Sequence, residues 1–179
     1  YYSDGTLNSI LNYKNLTTNS GTMWGPSHEM GHNHQDLINV VGATEVSNNL
    51  FANVNVFLQG VSTTRGNAVH DALNYFADGK SWFDMSIWTQ TRMYFQLYLY
   101  YHAQGHNPRF YQTLFKLLRE DPMSKRSGDY DSSLKNGSGK AVGGYITYGR
   151  QNYLHLAKKI CDAAQADLSE FFEVYGFFH

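Results

Sequence analysis

A single cysteine, Cys161, stands in 179 residues, so no internal disulfide framework can staple the chain and its fold must rest on packing. That leaves the compartment open, because many secreted proteins also lack bridges. Cys161 shares a helical spacing with Ala157, Ile160 and Ala164, which fits a buried thiol rather than a nucleophile. An excess of charge is missing too. The balance of 14 Lys and Arg against 15 Asp and Glu gives a net charge of −1 and no electrostatic reason to expect nucleic acid or an anionic membrane. No apolar run is long enough to span a bilayer and no signal peptide is visible. The chain starts on Tyr1 rather than methionine, which suggests a processed or excised piece. What is abundant is aromatic: 16% of the residues, 14 of them tyrosine, enough to fill a sizeable core in what is most simply one domain.

One stretch carries the chemistry: Gly25-Pro26-Ser27-His28-Glu29-Met30-Gly31-His32-Asn33-His34-Gln35. It contains His-Glu-x-x-His, and on an α-helix His28 and His32 fall at i and i+4 on one face, where both imidazoles can reach one metal ion. Glu29 is rotated by about 100° from His28, so it stands beside that ion rather than in its coordination and can take a proton from a water there. Imidazoles suit zinc, and a catalytic zinc keeps three protein ligands and one open position. Asp36 lies on the zinc helix itself, so the next carboxylate able to serve is Glu45. Twelve residues separate it from His32, enough to finish one helix, turn at Gly42 and start a second back past the metal. Asn48 and Asn49 follow within one turn of Glu45, and either could orient a ligand imidazole, Asn49 in preference. Gln35 returns to the ligand face and could do the same. His34 sits about 200° around from His32 and shares a stripe with Met30, Leu37 and Val41, as a core histidine would. Pro26 fits the first turn of a helix starting at the motif, and Gly31 leaves room for close approach.

Apolar spacing gives the rest of the chain. One short helix is expected within residues 1–16, a loop over 17–25, and a helix over 43–58 whose Val46, Leu50, Val54 and Phe57 pack while Glu45, Asn48, Asn49 and Ala52 occupy the neighbouring stripe. A helix over 63–77 contains His70, which has no partner at metal-ligand spacing and is expected to be structural. Asp84 reads as the N-cap of a central, buried helix reaching residue 102, stopped by Gly105. Asn107-Pro108 opens a helix to residue 120, and residues 122–144 read as a long irregular excursion with a short strand around 145–148. A helix over 150–164 follows, and Asp167 caps a last one to residue 175. The fold class is mainly α, a helical bundle with little β structure.

The run from His28 to Gln35, followed by Glu45-Val46-Ser47-Asn48-Asn49, resembles the enhancin-like, mucin-degrading metallopeptidases, gluzincins of peptidase family M60. The tail from Asp167 to Phe178 is similar to the segment that closes the catalytic domain in that family. The resemblance implies one Zn²⁺ held by His28, His32 and Glu45, Glu29 as general base and then acid, and hydrolysis of peptide bonds in extracellular glycoproteins such as mucins, by a bacterial protein that is secreted or on the cell surface. It also implies that residues 1–179 are the C-terminal, zinc-bearing part of a catalytic domain, a zincin-like helical lobe. The β-rich subdomain that precedes the zinc helix in the family is replaced here by a short lead, so further domains of the same parent chain are expected. A donor to the oxyanion is expected from across the cleft, with Tyr145, Tyr148 and His155 as unranked candidates. The alternative is a non-catalytic module, zinc-stabilised or glycan-binding through its aromatics; a closed structural site would need a fourth ligand, and none has an obvious spacing.

Overall fold

The computed structural model describes residues 4–18, 20–40, 42–61, 65, 69–123, 130–131 and 144–178, and these are mainly helical, as the periodicity predicts. Helices α1 (Asp4–Leu11), α2 (Tyr13–Thr18) and α3 (Ser20–His32) open the chain. The single helix expected before residue 16 is divided at Asn12, whose Oδ1 accepts the Lys14 N–H at 3.1 Å and whose carbonyl accepts that of Asn15 at 2.9 Å. The expected loop over 17–25 is largely helix, so Pro26 lies inside α3 rather than in its first turn. One missing N–H is tolerated there because tertiary packing holds the helix: Trp24 is buried in a cluster with Ala52 and Val56.

Helices α4 (Thr44–Ser47) and α5 (Asn49–Leu58) follow a turn at Gly42, whose φ of 85° favours glycine. Of the predicted packing stripe, Val46 and Leu50 are buried, Val54 is partly covered and Phe57 is exposed; Asn48, Asn49 and Ala52 on the neighbouring stripe are fully buried. Helix α6 (Val69–Ala77) covers the end of the expected 63–77 helix, while residues 62–64 and 66–68 and the His70 side chain lie outside the described part.

The central helix is α7 (Ile87–Leu97), continued by a π-helical turn at Tyr98–Ala103. Thr89, Gln90, Thr91, Met93, Tyr94, Phe95, Leu97, Tyr98 and Tyr101 are all buried along it, as apolar spacing nearly all round implies. Its N-cap is Ser86, whose Oγ accepts the Thr89 N–H at 3.3 Å, not Asp84, which belongs to a 3-10 turn at Trp82–Asp84. That turn is anchored before the helix can begin: Trp82 N–H donates to the Gly176 carbonyl at 2.9 Å, and the Gln90 amide to the Trp82 carbonyl at 2.8 Å. Gly105, with φ 79°, ends the element as predicted.

Helix α8 (Phe110–Glu120) starts two residues later than Asn107-Pro108 suggests, since Arg109 is its N-cap. Asn107 still organises the entry, accepting the Arg109 N–H at 3.2 Å and donating to the Ala163 carbonyl at 3.1 Å. A two-residue antiparallel ladder pairs β1 (Tyr130–Asp131) with β2 (Gly144–Tyr145), Tyr130 opposite Tyr145. The strand expected over 145–148 therefore contributes only its first residue, and α9 (Ile146–Ala164) begins immediately after it. Cys161 is only partly buried against the core. Helix α10 (Ser169–Val174) closes the chain, with the Asp167 carboxylate accepting the Ser169 N–H at 2.9 Å.

The core gathers Trp82, Tyr94, Phe110, Leu156, Phe172 and Phe177, each at most 1% exposed. A large apolar side chain so covered contributes about 1.5–3 kcal/mol against leaving it in water. Tyr94 also donates its hydroxyl to the Ile38 carbonyl at 3.0 Å, and burial pushes that phenol well above its ordinary pKa, so it stays a donor at any working pH. Ile38 lies in the connection between α3 and α4, so this bond ties that connection to the central helix. Tyr94→Phe is expected to leave that carbonyl without its donor and lower stability by about 1–2 kcal/mol, read as a lower urea midpoint at unchanged m-value. No helix among the described residues is long and apolar enough to cross a membrane.

Candidate metal centre

Helix α3 carries His28 and His32 one turn apart, their ring centroids 5.0 Å from each other and their planes at 82°. After His32 the helix tightens: Asn33 N–H bonds the Met30 carbonyl and His34 N–H that of Gly31, both at 3.0 Å, and a 3-10 turn at Gln35–Leu37 follows. This early stop corrects the placement of His34. The helix does not run on to stack it with Met30 and Leu37; His34 is exposed and tilts against Phe51 at 5.9 Å, and Met30 is 63% exposed.

The chain then reverses through Gly42 and α4 brings Glu45 to the histidines. Its Oε2 lies 3.3 Å from His28 Nε2 and 3.7 Å from His32 Nε2, and one ligand atom from each of the three residues falls within 4.8 Å of the others. Neighbouring ligands on a tetrahedral zinc with bonds of about 2.0–2.1 Å are about 3.3 Å apart, so the spacing suits such an ion with little adjustment. Two neutral imidazoles and one carboxylate also supply one negative charge toward a dication. The donor set His28, His32 and Glu45 therefore fits zinc in both reach and chemistry, and among the described residues it is the group of three or more His, Cys, Asp or Glu side chains able to hold a metal.

The close approach of α3 to α5 needs Gly31. A Cβ there would sit 2.5 Å from the Asn48 carbonyl oxygen, a backbone atom that cannot step aside. The room Gly31 provides is thus taken by the backbone of the second helix.

His28 is held in the tautomer that a metal needs. Asn49 donates both amide hydrogens elsewhere, to the Glu45 carbonyl at 2.7 Å and to Thr91 Oγ1 at 3.2 Å, which leaves its Oδ1 facing His28 Nδ1 at 2.6 Å. An acceptor at that position places the imidazole proton on Nδ1 and the lone pair on Nε2, on the side of Glu45. Thr91, fully buried on α7, is fixed in turn by donating to the Ile87 carbonyl at 2.8 Å. Trp24, one turn before His28, stacks on its ring at 5.0 Å and donates its indole N–H to Asn53 at 2.9 Å. Asn48 Nδ2 lies 3.1 and 3.2 Å from the two ring nitrogens of His28, a near-equal pair that puts the amide against the ring face. His32 meets Gln35, whose Nε2 is 2.8 Å from Nδ1, and Ser47 Oγ donates to Gln35 Oε1 at 2.6 Å.

Of the residues singled out from sequence, His28, His32, Glu45, Asn49 and Gln35 are thus brought together. Glu29 lies next to His28 on α3 with its side chain exposed to solvent. His155 is engaged elsewhere: its Nε2 is 2.8 Å from the Asp121 carbonyl oxygen. The side chains of Tyr145 and Tyr148 lie outside the described part. Trp24, Ser47 and Thr91 were not anticipated. The i to i+4 spacing of Trp24 and His28 could have flagged the first; Thr91, 42 residues from Asn49, carries no local signal.

Comparison with known proteins finds metallopeptidases. Two solved structures superpose closely, each 34% identical in sequence over 89% of this chain: a metallopeptidase in complex with Tn antigen, TM-score 0.72, and a metallopeptidase from Bacteroides thetaiotaomicron, TM-score 0.71. This chain spans 28% and 25% of the length of those two. No curated protein matches. The sequence model of peptidase M60, enhancin and enhancin-like, matches residues 1–176, and the chain belongs to that family.

Proposed function

We propose that the chain is the zinc-bearing helical lobe of a secreted or cell-surface bacterial endopeptidase that cuts glycoproteins such as mucins. The observation that carries this reading is the convergence of Glu45 Oε2 on His28 Nε2 and His32 Nε2, with His28 held as the Nδ1–H tautomer by Asn49. In this reading His28, His32 and Glu45 hold one Zn²⁺, which when bound supplies Lewis acidity and brings the pKa of a water on it to about 7. Glu29 takes the proton from the attacking water and later delivers it to the departing amine nitrogen, one carboxylate serving as base and then acid. Its solvent exposure on the helix that bears both histidines leaves it accessible to substrate. Asn49 and Gln35 orient the imidazoles, and Trp24 walls one of them.

The glycoprotein preference rests on the relative captured with Tn antigen. The lobe reading rests on length: the two superposed metallopeptidases are several times longer. The described ladder has two residues per strand, too short by itself to align an extended peptide. Three ligands with no fourth His, Cys, Asp or Glu beside them among the described residues favour an open, catalytic site over a closed structural one.

The test is metal analysis of the protein followed by digestion of a mucin-type glycoprotein and of the same substrate stripped of its glycans. One zinc per chain, cleavage of the glycosylated form and loss of cleavage on chelation are expected. A zinc-replete protein that leaves both substrates intact would overturn the catalytic reading.

A further inference from the structure

Central helix α7 turns three polar side chains onto buried backbone. Gln90 pins it near its start, donating to the Trp82 carbonyl at 2.8 Å, and Tyr94, one turn on, donates to the Ile38 carbonyl at 3.0 Å. Between them stands Thr91, fully buried. Its Oγ1 lies 2.8 Å from the Ile87 carbonyl four residues back, 3.2 Å from the Val46 carbonyl on α4, and 3.2 Å from Asn49 Nδ2, which donates to it from α5. The first contact is common for a threonine inside a helix and needs no special purpose. The other two are not local. They reach 45 and 42 residues back and flank Asn48, the joint of α4 and α5. One hydroxyl thus meets both the helix that carries Glu45 and the residue that faces His28.

We propose that Thr91 is a positioning residue for the metal centre, acting through Asn49. This rests on the reading of His28, His32 and Glu45 as ligands. Asn49 is fully buried and donates one amide hydrogen to the Glu45 carbonyl at 2.7 Å and the other to Thr91, while its Oδ1 stands 2.6 Å from His28 Nδ1. Take the hydroxyl away and one amide hydrogen has no acceptor in a place without solvent; the amide relieves that by shifting, which draws Oδ1 off the imidazole. Asn49 bonds one candidate ligand at its ring and another at its backbone, so its anchor registers both against the core. Gln90 and Tyr94 hold that anchor still. Thr91 itself touches neither ion nor substrate, and it orients the site as an outer partner of a metal ligand does.

Substitution at constant shape tests this. Thr91→Val removes the hydroxyl and should weaken zinc binding by about 10–100-fold in chelator competition, and it should alter the visible absorption of the cobalt-loaded protein, which reports ligand geometry. Thr91→Ser keeps the hydroxyl and should bind zinc and absorb as the wild type does. In an Asn49→Ala background, Thr91→Val should cost less zinc affinity than it does in the wild type. Urea midpoints are measured beside each. A Thr91→Val protein with a lower midpoint but unchanged zinc affinity and cobalt spectrum would make the residue structural only and overturn the proposal. So would a Thr91→Ser protein as impaired as the valine variant, or an equal loss in the two backgrounds. If Thr91→Val does not fold, Thr91→Ser against Thr91→Ala, which differ by the hydroxyl alone, gives the same contrast. A wild type that binds neither metal would instead sink the reading of the site as a metal centre, a result distinct from tight binding that ignores the hydroxyl.

Discussion

Glu29→Gln is expected to cut hydrolysis of a glycoprotein substrate by about 10²–10⁴-fold while zinc content and affinity stay at wild-type levels. The substitution keeps size and polarity but removes the group that accepts the water's proton. Glu29 is exposed and stands outside the His28, His32 and Glu45 set, so nothing in the ligand geometry depends on it. Measuring kcat beside zinc stoichiometry separates the possibilities. A variant that loses zinc in proportion to activity would show Glu29 to be part of the coordination, and one that keeps full activity would remove it from the mechanism.

Gly31→Ala should have the largest effect on the fold. The added methyl would meet the Asn48 carbonyl oxygen at 2.5 Å, a backbone atom at the joint of α4 and α5. Overpacking of this kind costs about 1–3 kcal/mol, and the upper end is expected where no flexible side chain can yield. Relief can only come from moving the joint of α4 and α5 at Asn48 away from α3, which carries Glu45 on one side and Asn49 on the other off the histidines. Zinc affinity should therefore fall together with the denaturation midpoint. A stable Gly31→Ala protein with unchanged zinc affinity would mean that the two helices approach less closely than this.

These two expectations show how far the sequence reached. The i to i+4 histidines, the acidic residue after a glycine turn and the asparagine one turn further on are local patterns, and each was readable because helical geometry alone fixes their relation. Gly31 was readable as a point of close approach, but not what approaches it. His34 was misplaced because the reading extended α3 at constant pitch, whereas the chain tightens after His32 and takes the side chain out to solvent. Asp84 and Ser86 are both good caps, and the choice between them was made by Gly176, some ninety residues along, holding the Trp82 backbone. Pro26 misled in the same way: propensity put a helix start there, and the packing of Trp24 overrode it. Thr91 and Ser47 escaped notice because a hydroxyl that orients an amide that orients an imidazole leaves no periodic trace.

The tie from Asn49 to Thr91 also bears on when the centre matures during biosynthesis. Both histidines and Glu45 leave the ribosome well ahead of the central helix, and at that stage the Asn49 amide that faces His28 has the Glu45 carbonyl but not Thr91 to hold it. A nascent chain therefore holds the candidate ligands without their full set of aligning bonds, and the site is complete only after translation has moved well past it.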